Sequence, residues 1–260
     1  MGQSVLSVAK LIKPKKIVCL AVGFLLFPYS GGAEDLNHLQ QLLISRECIG
    51  CNLQGAVLQG ASLYGAELAR ASLQEADLRE AVLAASNLRL ANLARADLSD
   101  ASLAQANLTE AILVGSRLSG ASLNKATFTQ ANLQEADLSG ATATEAIFRE
   151  ADLTGANLTE ISLIQANVGR ATLTSANLTE ADLFATGFAG TDFTDANLSG
   201  ADFSNARIIR ATLDGADLTE TVLINAKLDG STFEGAIFCR TIMPDRTQND
   251  RDCPESLRSQ

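Results

Sequence analysis

Large apolar residues recur at every fifth position from Leu53 to Phe238 without a slip, with Ala143 the single small residue in the series. The position two before each of these centres is Ala in most pentads, and Ser, Thr, Cys or Ile in the rest. Asn, Asp, Ser or Thr usually lies between the two, as in Ala106-Asn107-Leu108, Ala136-Asp137-Leu138 and Ala156-Asn157-Leu158. The run from Cys51 to Arg240 holds 190 residues, or 38 pentads. A period of five fits neither the 3.6 of a helix nor the alternation of a long strand. It fits a coil that turns a corner once per pentad, with the large and small apolar residues pointing inward and the other three outward. An all-β solenoid is therefore expected.

The Ala-(Asn/Asp)-Leu-x-x run resembles the pentapeptide-repeat family over these 190 residues. The resemblance implies a right-handed quadrilateral β-helix with four pentads per coil, here about nine to ten coils. At about 4.8 Å between stacked strands the rod would be about 45 Å long. Asp35 to Glu47 places Leu36, Leu39, Leu42 and Leu43 at helical spacing, which predicts a short capping helix over the first coil. Thr241 to Gln260 departs from the repeat through Met243-Pro244-Asp245 and is expected to cover the other end irregularly. The domain plan is thus 34–50 as N-terminal helical cap, 51–240 as β-helix and 241–260 as C-terminal covering segment and tail. Cys48-Ile49-Gly50-Cys51, Met243-Pro244-Asp245 and Asp252-Cys253 are similar to the flanks of exported cyanobacterial members of the family.

Residues 1–33 stand outside this plan as a signal peptide. Lys10, Lys13, Lys15 and Lys16 precede an apolar stretch from Ile17 to Phe27, and Gly31-Gly32-Ala33 supplies small residues for cleavage after Ala33. The competing reading is an uncleaved anchor, the one route by which this chain would touch a membrane. Removing the segment takes four lysines and no acid, moving the net charge from −10 to −14. Such acidity argues against direct nucleic-acid binding, which draws on Lys and Arg clusters. The expected location is exported: periplasm, cell envelope or thylakoid lumen.

Sorting outward positions by wall divides the charge unevenly. The wall of Leu53 carries seven acids and one base, and that of Leu58 nine and three; that of Leu63 carries three and one, and that of Leu68 four and seven. Two adjacent walls are acidic, the fourth is mildly basic, and the third presents Ile164, Phe184 and Ile224 in one outward column with Ser204 between them. An aligned apolar row on a charge-poor wall is a candidate partner surface. On the fourth wall, Phe128, Phe148 and Phe188 gather mid-rod, and a neighbouring ring is expected to fill the space Ala143 leaves.

Catalytic chemistry finds little footing. The lone His38 has no second imidazole to share a metal or a proton, and is read as a solvated cap residue. The many carboxylates decorate a convex surface, where nothing would raise a pKa for acid–base work. No cofactor or metal is expected. Four cysteines remain past residue 33, two at each end of the rod, so only Cys48 with Cys51 and Cys239 with Cys253 lie within bridging reach. Cys239–Cys253 reads as a disulfide pinning the covering segment, and Cys48 and Cys51 as a structural disulfide or two buried thiols. The functional expectation is a non-catalytic exported structural or protein-interaction solenoid. The alternative is a DNA-mimic binder of DNA gyrase, as the resemblance allows for acidic rods, and a thiol redox protein using the CxxC ranks third.

Overall fold

The computed structural model describes residues 16–20, 25–29 and 33–255. Lys16–Leu20 (β1) and Leu25–Tyr29 (β2) pair antiparallel. The rest of the expected signal segment and its cleavage site fall largely on residues outside those described. Helix α1 spans Ala33–Ser45. Beyond it, parallel bridges join each residue before a pentad centre to the residue twenty positions on, from Glu47↔Glu67 to Val222↔Ile242. A twenty-residue coil of four pentads follows directly from that register.

Each pentad closes its corner with local hydrogen bonds. In 136–140, Ala141 N donates to Leu138 O at 3.1 Å across the turn. Leu138 N donates up to Asn157 O at 2.7 Å, Asp137 N down to Ser116 O at 2.9 Å, and Gly140 N up to Thr159 O at 2.9 Å. The polar residue between the apolar pair has a specific task. Its side-chain oxygen accepts the backbone N–H two residues on, as Asp137 Oδ1 does from Ser139 N at 3.1 Å and Asn107 Oδ1 from Thr109 N at 3.0 Å. A hydroxyl at that second position donates to the same oxygen, as in Thr159 Oγ1 to Asn157 Oδ1 at 2.7 Å. These bonds supply the corner's donors with partners the ladder does not provide.

The fifth residue of each pentad takes a left-handed backbone conformation. Gly140 does so at φ 63°, but Glu135, Arg170 and Leu90 do so as well, at φ 56°, 59° and 61°. Glycine is therefore a convenience at the corner and not a requirement. The cost of about 1–2 kcal/mol for a non-glycine residue there is offset by the coil-to-coil bonds and the apolar column behind it.

Nearly every centre and its small partner are buried, forming one continuous core. Where a hydroxyl replaces the small Ala, it usually donates to a carbonyl of the coil below: Thr186 Oγ1 to Leu163 O at 2.5 Å, Thr191 Oγ1 to Val168 O and Thr221 Oγ1 to Leu198 O, both at 2.8 Å. Ala143 is fully buried, and on the adjoining wall Phe128 and Phe148 stack with ring centroids 4.6 Å apart and 3° between planes. A second aromatic cluster joins three walls: Phe188 lies 5.1 Å from Phe193 and 5.4 Å from Phe203.

The stacked pentads continue past both ends of the run from Cys51 to Arg240. Arg46 to Gly50 is already a pentad, centred on the buried Cys48 and ending with Gly50 at φ 66°. The bridging thus begins at Glu47, before the expected start at 51. At the other end, Thr241 occupies the small-residue slot, with Oγ1 donating to Leu218 O at 2.6 Å, and Met243 packs on the core. Thr241–Ile242 (β3) then pairs with Gln248–Asn249 (β4), so the covering segment opens as a further pentad and a small hairpin.

Candidate partner-binding site

The two caps fix where the walls begin and stop. Leu39 and Leu42 of α1 are buried against the first coil, and His38 Nδ1 accepts a hydrogen bond from Asn52 N at 3.2 Å. His38 is therefore a tie between cap and coil, which corrects its reading as merely solvated. Cys48 and Cys51 are joined by a disulfide, and so are Cys239 and Cys253. Cys48 is 0 % and Cys51 3 % exposed, so this CxxC lacks the access that thiol exchange requires. Cys239, an outward position by the repeat, is covered by the returning chain. Asp252 N donates to Phe238 O at 2.9 Å, Arg251 NH2 to Ala236 O at 2.6 Å, and the Arg251 guanidinium lies 4.9 Å over the Phe238 ring.

Along the walls, charges pair chiefly up and down the rod. Arg95 reaches Glu75 at 2.5 Å, Lys125 reaches Glu145 at 3.5 Å and Arg240 reaches Glu220 at 3.2 Å, each twenty residues apart. Exposed pairs of this kind are worth about 0–1 kcal/mol each, so they shape the surface potential more than they hold the rod together. On the acidic wall of Leu58, the Arg79 side chain bonds both Asp77 oxygens, at 2.8 and 2.6 Å, and holds that carboxyl below its ordinary range. On the basic wall, Arg149 and then Gln130 hold Glu150 low by hydrogen bonding. These groups stay ionised at neutral pH. Among the described residues, no group of three or more His, Cys, Asp or Glu could hold a metal ion.

The twenty-residue register places Ile164, Phe184, Ser204 and Ile224 in one column on the charge-poor wall. The column is real but uneven. Phe184 is 40 % exposed, whereas Ile164 and Ile224 are half-buried and offer edges. The same column holds Tyr64 near the N-terminal end, 57 % exposed. That residue was overlooked in the sequence because Ala84, Ala104, Asn124 and Thr144 separate it from Ile164; its offset of six coils from Phe184 was the available signal.

A stack of twenty-residue coils, walled by ladders of polar side chains and closed at both ends, defines a four-sided β-solenoid of tandem five-residue repeats. The chain belongs to the pentapeptide-repeat family. The family's pattern matches in eight copies over residues 47–84, 86–124, 121–160, 151–186, 186–223 and 206–243, and carries with it the right-handed sense of the helix. Among solved structures, HetL, a pentapeptide repeat protein involved in heterocyst differentiation regulation in the cyanobacterium Nostoc sp. strain PCC 7120, is 30% identical. That match covers 85% of this chain and 100% of HetL, with a TM-score of 0.50. A pentapeptide repeat protein of the Arabidopsis thaliana thylakoid lumen is 38% identical over 36% of this chain and 65% of its own, with a TM-score of 0.35. QnrB1, a plasmid-mediated fluoroquinolone resistance protein, is 17% identical over 73% of this chain and 88% of its own, with a TM-score of 0.46. No curated protein matches the sequence.

Proposed function

We propose that this protein is a non-catalytic, exported interaction rod of nine to ten coils that holds a protein partner on the wall centred on Leu63. The observation that carries this reading is the exposed Phe184, set in a column with Ile164, Ile224 and Tyr64 on the wall with the fewest charges. A wall fixed by coil-to-coil hydrogen bonds loses little entropy on docking, and an aromatic anchor on a flat apolar strip is the usual centre of such a contact. Export is supported by the signal-like pattern of residues 1–33 and by two disulfides, which persist in oxidising compartments. HetL, whose match covers 85% of this chain, is involved in heterocyst differentiation regulation, a role compatible with a rod that acts through a partner.

The test is the full chain carrying Phe184→Asp, compared with the wild type for partner capture from its native compartment. Capture should fall at least tenfold with the circular dichroism and thermal midpoint unchanged; unchanged capture would remove this wall from consideration. The two acidic walls favour a second reading, mimicry of duplex DNA toward gyrase. Inhibition of gyrase supercoiling by the purified chain, relieved by neutralising Asp97, Asp100 and Asp137, would support that reading over the first.

A further inference from the structure

The basic wall ends, at its N-terminal coils, in a groove of about 260 Å³ lined by Ile49, Ala69, Arg70, Asn87, Arg89 and Leu90. The register explains it. Positions 49, 69 and 89 stack in one outward column and 50, 70 and 90 in the next, so the small Ala69 leaves a notch between Ile49 below and Arg89 above. Ile49 is 65 % exposed and stands on the turn closed by the Cys48–Cys51 disulfide, with Gly50 N donating to Ala69 O at 2.8 Å. One wall of the notch is therefore an aliphatic side chain held outward by a pinned turn.

The polar groups around it are unequally committed. Asn87 is occupied: its Nδ2 donates to Glu67 Oε2 at 2.8 Å and its Oδ1 accepts Arg89 N at 3.2 Å. Arg89 spends one nitrogen on Glu110 at 2.5 Å. Arg70, by contrast, makes no ion pair or side-chain hydrogen bond among the described residues, although acids outnumber bases thirty to twenty in this chain. An uncommitted guanidinium beside a half-open notch with aliphatic sides suits a carboxylate attached directly to a short apolar group, because the fork binds both oxygens while the apolar part fills the notch. The volume lies just under the roughly 300–1,000 Å³ of pockets that engulf a ligand, which suits the end of a longer molecule. Other arginines of the basic wall, such as Arg207 and Arg210, lie far along the rod from this notch, so binding here depends on Arg70 and Arg89.

We propose that this groove captures the free C-terminal carboxylate of a peptide or protein ending in a branched aliphatic residue. Arg70 holds the carboxylate, Arg89 adds charge, and Ile49, Ala69 and Leu90 hold the side chain. It is a second contact point, independent of the Phe184 wall.

Titration of the full chain with an N-acetylated tripeptide ending in leucine, as the free acid and as the C-terminal amide, tests the idea by calorimetry. The acid should bind at least tenfold more tightly than the amide. Arg70→Gln should weaken the acid about tenfold, and Ala69→Ile should weaken both forms. Both substitutions suit the backbone: Gln105, Gln130 and Gln165 already adopt φ of 57–61° at corners equivalent to 70, and Ile49 and Ile209 share the column of 69. Equal binding of acid and amide, absence of acid binding at millimolar concentration, acetate binding as tightly as the peptide, or full affinity in both variants would each overturn the proposal. The acid and amide comparison uses the unaltered chain, so its outcome does not depend on a variant folding.

Discussion

A polar oxygen between the apolar pair, such as Asn157 Oδ1, steadies the corner by accepting both Thr159 N and Thr159 Oγ1, although pentads with Val82 or Ile112 at that position turn without one. The alternation of large, polar and small residues was legible from the sequence for this reason. The left-handed corner was not, since Glu135, Arg170 and Leu90 give no glycine signal where the backbone requires φ > 0. Buried hydroxyls were visible as departures from Ala, but the partners of Thr186, Thr191 and Thr221 lie a coil away. Ser86 breaks the pattern: its buried Oγ has no hydrogen-bond partner. Ser86→Ala should therefore raise stability by up to about 1 kcal/mol in denaturant unfolding, whereas Thr191→Val, which removes a bond to Val168 O, should lower it by about 1 kcal/mol. Asp77 supplies a pH test. Its carboxyl, normally at 3.8, is lowered in the fold by Arg79, so its contribution is complete above pH 3.8 and lost as pH falls through the lower folded value. The stability gap between wild type and Asp77→Asn should be present at pH 7 and close in acid.

At the scale of elements, the coils and their caps differ in how far sequence reaches. A coil is one unit repeated, so its register was readable over the whole run, while each end hides one pentad behind an atypical residue. Cys48 stands where a leucine would, and Pro244 follows the centre Met243, yet both pentads join the stack. The covering segment is held by Asp250 Oδ1 on Arg240 N at 3.0 Å, Asp252 Oδ2 on Phe238 N at 3.0 Å, and the Cys239–Cys253 disulfide. Loss of that bridge by replacing both cysteines with Ser should cost about 3 kcal/mol. Because each coil contacts only its neighbours, the loss should be local. Limited proteolysis should cut within 244–255 many-fold faster while central coils stay protected, and uniform loss of protection would show the rod to unfold as one unit. The helix α1 was predicted from Leu36, Leu39, Leu42 and Leu43, but the bond of His38 to Asn52 N depends on how the helix crosses the coil.

For the whole molecule, the wall is the unit on which the proposed interaction rests. Sorting by twenty gave their charges from sequence, including the contrast between the acidic wall of Leu58 and the basic wall of Leu68. It did not give their texture. Pairs such as Arg95 with Glu75 spread the charge along the rod, and half-burial of Ile164 and Ile224 leaves Phe184 and Tyr64 as the exposed large apolar residues of that column. The groove over Ala69 was equally hidden, since a small residue in an outward column signals nothing until its neighbours above and below are known. The most direct measurement is photo-crosslinking in the native compartment, with the reactive side chain placed at Phe184, at Glu180 on the wall of Leu58, and at Ser175 on the wall of Leu53. Adducts to a discrete protein should form from position 184 and not from 180 or 175; adducts from the acidic walls, or equal yields from all three, would contradict a partner held by the charge-poor wall.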